Sequence, residues 1–189
     1  MVHTDVIEEG VKLIIEGLGL DINDPNFVGT PGRVQRALAE MTSGLWMDYD
    51  LEKLFTATFP SDYDQMIVAR NVCAVGVCPH HLLPVEYTIH VGYIPSNGKV
   101  LGVSKLARLA KILAKRPVLQ EQLTEDIVGY LCKYLEPRGV GVVVIGKHSC
   151  MRLRGVEAKE SSVVTSIMRG DMLEEPEARA EFISLTKEL

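Results

Sequence analysis

The order in which β-rich and helical stretches follow one another constrains this chain more than any single residue does. Residues 66–77 and 86–94 are rich in β-branched side chains, and Pro95-Ser96-Asn97-Gly98 supplies a turn after the second. Residues 104–115 then carry Leu106, Leu109, Ala110 and Leu113 at helical spacing, Pro117 interrupts, and residues 119–135 read as a longer helix. A short apolar strand over 141–145 leads to His148, another covers 161–168, and an acidic helix starts near Pro176. The grouping strand, strand, helix, helix, strand, strand predicts an α+β fold with an antiparallel sheet rather than alternating parallel units. Ahead of it, Val6, Ile7, Val11, Ile14, Ile15 and Leu18 mark an amphipathic helix over 4–18, with Thr4 or Asp5 as its cap. After a turn at 21–25, Thr30-Pro31 opens a second helix to about Ser43. We therefore expect residues 1–60 to form an N-terminal helical region and residues 61–189 the sheet-bearing domain.

The loop between the first two strands holds Cys78-Pro79-His80-His81, and His148-Ser149-Cys150 follows a later strand. A thiol and two imidazoles within four residues, joined by a second His-x-Cys, suit zinc, which takes thiolate and imidazole tetrahedrally; a catalytic site needs only three protein ligands. Cys78, His81 and Cys150 are the expected ligands, because Cys-x-x-His spacing lets both ends of one short loop converge. His80 and His148 are then free to move protons. A purely structural zinc fits the same motif. Cys73, in an apolar run, and Cys132, on a helix, are expected to be ordinary buried thiols.

The formal net charge of -5 excludes general nucleic-acid binding, which needs an extended basic surface. No apolar run approaches the ~20 residues of a membrane span, and no signal-peptide pattern opens the chain. A cytoplasmic protein is expected, with reduced thiols available for metal. Gly139-Val140-Gly141 precedes its strand and so is no dinucleotide fingerprint. Zinc lowers the pKa of bound water to about 7, which suits hydrolysis of a C–N bond. Arg33 with Arg36, Lys105 with Arg108 beside Ser104 at a helix start, and Arg152 with Arg154 could hold a polyanion, or could be solvated surface charges. Gln120-Glu121 could read a nucleobase edge, or could simply face water.

Four segments together resemble type I GTP cyclohydrolase. They are Cys78-Pro79-His80-His81-Leu82-Leu83-Pro84, Gly102-Val103-Ser104-Lys105-Leu106-Ala107-Arg108, Arg116-Pro117-Val118-Leu119-Gln120-Glu121-Gln122-Leu123-Thr124, and His148-Ser149-Cys150-Met151-Arg152-Leu153-Arg154-Gly155-Val156. Their order agrees, and Thr30-Pro31-Gly32-Arg33-Val34 and Thr165-Ser166 extend the likeness over nearly the whole chain. The resemblance implies a tunnelling fold, an antiparallel sheet with helices on one side, that closes into a ring; two stacked pentamers make a homodecamer with active sites between subunits. It implies conversion of GTP to 7,8-dihydroneopterin triphosphate and formate, with one Zn2+ per subunit on Cys78, His81 and Cys150. His80 and His148 would carry protons, and Glu121, helped by Gln120, would hold guanine. Arg33, Arg36, Ser104, Lys105, Arg108 and Arg154 would take the triphosphate. No nucleic acid or membrane is an implied partner.

Pro79 departs from the family, which usually has Glu between the ligand cysteine and the histidines, and Val75-Gly76-Val77 replaces a polar residue often found before that cysteine. Two other readings therefore stay open. One is a related purine-triphosphate cyclohydrolase that stops at a different product or serves a deazapurine pathway; the other is a non-catalytic zinc- and nucleotide-binding ring protein.

Overall fold

Apolar spacing at the N-terminus produces α1 (Thr4–Gly17), which buries Val11 and Ile15 against α2 (Thr30–Met41). In the computed structural model, which describes residues 3–47 and 49–187, neither Thr4 nor Asp5 caps α1. The cap position falls on His3 without a side-chain bond, and Asp5 sits inside the first turn, where a carboxylate complements the helix dipole. α2 starts one residue earlier than expected, with Gly29 rather than Thr30 at the cap position and Pro31 inside the first turn, and a 3-10 turn over Ser43–Leu45 follows it. There the Gly44 amide donates to the Lys115 carbonyl at 2.8 Å, and a Cβ on Gly44 would strike the Ile112 and Lys115 carbonyls. A short α3 (Leu51–Leu54) is capped by Asp50, which accepts from the Lys53 amide at 3.0 Å.

The strands are β1 (Thr58–Pro60), β2 (Ile67–Val77), β3 (Pro84–Ile94), β4 (Lys99–Leu101), β5 (Gly139–His148) and β6 (Val163–Gly170). Between β4 and β5 lie α4 (Ser104–Ala114) and α5 (Gln120–Leu135). The main sheet runs β2-β3-β5-β6, antiparallel throughout, and β1 pairs with β4 in a separate ribbon. The Tyr93 hydroxyl accepts from the Leu101 amide at 2.9 Å and so ties β4 of that ribbon to β3. Alternation along β3 sends Val85, Tyr87, Ile89, Val91 and Tyr93 toward α4 and α5, where Leu106, Leu109, Leu113, Leu123, Ile127 and Leu131 are fully buried. Each such side chain contributes about 1.5–3 kcal/mol by leaving water, so this one interface dominates the stability of the sheet.

On the other face, α7 (Asp171–Glu174) and α8 (Pro176–Thr186) fold back over one end of the sheet. Phe182 enters a slot made by Gly92 and Gly141, which are cross-strand partners; a Cβ on either would lie within 2.9 Å of its ring. Cys73, expected to be buried, is exposed, because it occupies the face of β2 opposite α4; Cys132 is half-buried on α5. In β2, Ala69 faces Val91 and Val72 faces Ile89, so one extra residue is accommodated as a bulge, with Asn71 at φ 56°. Among the described residues, no helix is long and apolar enough to cross a membrane.

Candidate active site

The end of the sheet where β2 and β5 stop brings the two Cys/His motifs together. Cys78 follows β2, and its loop is closed by the Cys78 amide donating to the Leu83 carbonyl and the Leu82 amide donating to the Cys78 carbonyl, both at 2.9 Å. Leu82 adopts φ 53° to turn the chain into β3. His148 ends β5 opposite Val85, and α6 (Ser149–Arg152) carries Cys150 back toward Cys78. Because β3 lies between β2 and β5, two sequence-distant loops become neighbours.

The sulfurs of Cys78 and Cys150 are 3.9 Å apart, and the Nδ1 atoms of His80 and His81 are each 4.0 Å from the Cys78 sulfur. Ligand atoms of Cys78, His148 and Cys150 all lie within 4.8 Å of one another, close enough to hold one metal ion. Tetrahedral zinc with bonds of about 2.3 Å to sulfur and 2.0–2.1 Å to nitrogen separates two sulfurs by about 3.8 Å and sulfur from nitrogen by about 3.6 Å. The donor set fits that geometry, with three imidazoles available near two thiols. His80 and His81 are exposed, whereas Cys78 is buried and His148 and Cys150 are half-buried.

Cys78, His80, His148 and Cys150 share a cavity of about 300 Å³ with Pro79, Leu119, Gln120, Glu121, Met151 and Val163. Burial holds the His148 imidazole below its usual range, against the pull of Glu121. Burial, then the bond to Cys78 and its charge, push the Cys150 thiol up, while Arg154 draws it down. Tyr87, whose ring meets His148 edge to face at 6.2 Å, is pushed up to about 12 by burial and then by the charges of Cys78 and Glu121. At neutral pH the cavity thus presents a neutral imidazole, and the buried phenol packed against it is neutral too.

The sequence-predicted site residues divide into two groups. Cys78, His80, Gln120, Glu121, His148 and Cys150 line the cavity; His81 meets it through Cys78, and Arg154 acts electrostatically on Cys150. Arg33, Arg36, Ser104, Lys105 and Arg108 do not line it. Arg33 donates instead to the Asn26 carbonyl at 3.0 Å and Thr30 Oγ1 at 2.9 Å. Gln120 is only 3% exposed, and both ends of its amide are engaged by protein. Tyr87 and Gly146 escaped the sequence reading. The signal for Gly146 was a glycine ending a run of Val142, Val143, Val144 and Ile145, where strands take glycine when another group must approach closely. A larger cavity, about 500 Å³, opens over β2 among Cys73, Glu86, Lys111, Lys115 and Lys147, but it lacks the paired thiols and imidazoles.

Fold and site together define an α+β protein whose antiparallel sheet carries a Cys/His metal-binding constellation beside a carboxylate-bearing helix start. The sequence profile of the GTP cyclohydrolase I family matches residues 7–187, and the chain belongs to that family. It is 39% identical over 186 residues to GTP cyclohydrolase 1 of Brevibacillus brevis, covering 98% of each chain. The corresponding protein of Campylobacter curvus is 43% identical over 178 residues, with 94% of this chain and 93% of that one covered. That of Geobacillus kaustophilus is 41% identical over 181 residues, 96% and 95%. The sheet backed by α4 and α5 is the tunnelling fold that the resemblance implied.

Proposed function

We propose that this protein is an enzyme that converts GTP and water to 7,8-dihydroneopterin triphosphate and formate, the entry step to folate or biopterin synthesis. The observation that carries the reading is the meeting, in one cavity, of a thiol pair and imidazoles with the Glu121 carboxylate at the start of α5. One Zn2+ per subunit, on Cys78, His81 and Cys150, would supply Lewis acidity for attack by water at C8 of the purine. His81 is taken as the third ligand because Cys-x-x-His spacing lets both ends of one short loop reach the same ion, and its Nδ1 stands 4.0 Å from the Cys78 sulfur. His148 and the exposed His80 then serve as the proton carriers for ring opening and formate release. Glu121 accepts the two N–H groups of the guanine edge. Tyr87, neutral across the working range, packs edge to face against the His148 ring from the core side.

The triphosphate falls to Arg33, Arg36, Ser104, Lys105, Arg108 and Arg154. None of the six lines the cavity of its own chain, Arg154 reaching it only through its charge on Cys150, and in this reading a neighbouring copy supplies the first five. Both outer strands, β2 and β6, have an unpaired edge in the single chain, and pairing edge to edge closes a ring. We read the assembly as a homodecamer of two stacked pentamers, working in the cytoplasm. Residues 1–60 act as the helical N-terminal region and 61–189 as the catalytic domain, with the β1–β4 pairing joining them.

Incubating zinc-loaded protein with GTP and following formate together with the oxidised, fluorescent pterin by mass spectrometry tests the reading. Both products are expected. Formate without pterin would mean a reaction that stops after ring opening, and neither product would leave an enzyme acting on another purine triphosphate or a binding protein.

A further inference from the structure

Gln120, the first residue of α5, is the most completely engaged polar side chain of the site. We propose that Gln120 is the positioning residue for His148: its amide fixes the imidazole as the Nε2–H tautomer and leaves Nδ1 as the ring's single lone pair. The chemistry assigned to that lone pair rests on the function proposed above; the tautomer itself does not.

The two ends of a glutamine amide are told apart by their neighbours. One end of Gln120 lies 3.0 Å from the Val144 carbonyl, 2.9 Å from the Val163 carbonyl and 3.2 Å from Thr165 Oγ1. Carbonyl oxygens only accept, so this end is the NH2 group. A threonine relay removes the remaining freedom. The Thr124 hydroxyl donates to the Gln120 carbonyl at 2.8 Å, so in its 2.6 Å contact with Thr165 it must accept. Thr165 has then spent its one proton and can only accept from Gln120. The opposite end of the amide is therefore oxygen, and it lies 2.9 Å from His148 Nε2. Amide oxygen has no hydrogen to give, so the imidazole must provide it.

With Nε2 committed as a donor, Nδ1 is the one ring atom of His148 that can take a proton or a metal. The same commitments leave Gln120 no free group for a nucleobase, and guanine recognition passes to the exposed Glu121 beside it. Gly146 completes the device. A side chain there would collide with Gln120 Oε1 and come within 3.1 Å of His148 Nε2, and the amide cannot swing aside without breaking its bonds to Val144, Val163 and Thr165.

Gln120→Met keeps the length of the side chain and removes both hydrogen-bonding ends. In protein labelled with 15N-histidine, whose His148 signals are identified by their loss in His148→Asn, the parent should show the Nε2–H pattern and Gln120→Met a mixture of tautomers. Zinc content should be retained, kcat for formate release should fall 10- to 100-fold, and KM for GTP should stay within about twofold. Gly146→Ala should reproduce this loss, and the double variant should lose no more than either single one. A parent spectrum of the Nδ1–H form would overturn the inference, as would a tenfold rise in KM with kcat retained, which would put Gln120 on the substrate. Additive losses in the double variant would overturn it too. Should Gln120→Met fail to fold, the parent spectrum and Gly146→Ala still decide. Should the parent release no formate from GTP, the proposed function fails while the 15N spectrum still decides the tautomer.

Discussion

Replacing Phe182 by alanine should free the C-terminal strap from the sheet. Phe182 is fully buried, and its ring is held between two glycines facing each other across β3 and β5. A Cβ on Gly92 would stand 2.7 Å from Phe182 Cε2, and one on Gly141 would stand 2.9 Å from Cε1. The slot is thus cut to the ring, and two glycines have no side chains with which to refill it. Truncation costs the transfer free energy of the ring and leaves a cavity that cannot collapse, about 3–5 kcal/mol together. At a factor of ten per 1.4 kcal/mol, amides of α8 should exchange with deuterium roughly 100- to 4,000-fold faster, up to the limit set by global unfolding. Hydrogen exchange followed by mass spectrometry on peptides from 171–186 measures this. The partner variant Gly92→Ala should destabilise the parent by about 1–3 kcal/mol through overpacking, yet cost little in the Phe182→Ala background, where the methyl enters vacated space. Unchanged protection of α8 in Phe182→Ala, or penalties that simply add, would refute the clamped-ring reasoning.

Cys150→Ala is expected to abolish both metal retention and turnover, read by metal analysis and the formate assay; a metal-replete, active variant would remove Cys150 from the ligand set. His148→Ala should keep the metal and lose turnover at least 100-fold, and loss of zinc instead would make His148 a ligand. Tyr93→Phe should cost about 1–3 kcal/mol, because the buried Leu101 amide then loses its acceptor. Burial raises the Tyr93 phenol above its ordinary value of 10. Folding therefore favours the neutral form, so this contribution is complete below pH 10 and is lost as pH rises beyond it. Denaturation midpoints measured from pH 9 to 11 should fall less steeply in Tyr93→Phe than in the parent.

The elements with long, regular patterns were legible in the sequence because one face of each is buried. Leu106, Leu109, Ala110 and Leu113 all point into the core as their spacing required. The short elements were not, since β1, β4, α3 and α6 have three or four residues each and carry no period. β5 is longer at both ends than its apolar run, because Gly139, Gly141 and Gly146 sit where Asp171, Phe182 and Gln120 press against the strand. Cys78 and Cys150 could be paired from motif chemistry alone. The closeness of His148 to both sulfurs, and its bond to Gln120, depend on β3 separating β2 from β5 and on α5 starting above them, relations that no local spacing encodes. Glu121 was read from its neighbours in sequence, whereas burial of Gln120 one position earlier reverses what its polarity suggests.

If copies of this chain meet edge to edge as proposed above, the bulge in β2 bears on how far they can pair. A long open strand edge is a template on which like strands can stack without limit. Here the template is broken, since Arg70 and Asn71 put residues 67–69 out of step with 72–77. In the ring proposed above, a strand from another copy that followed 72–77 would run alongside residues leading directly to Cys78, and the shift between Ala69 and Val72 would end its register there. The irregularity therefore works as a ruler. In that assembly it would limit pairing to a short length, set that length next to the thiols and imidazoles, and favour a finite, closed set of chains over an endless ribbon.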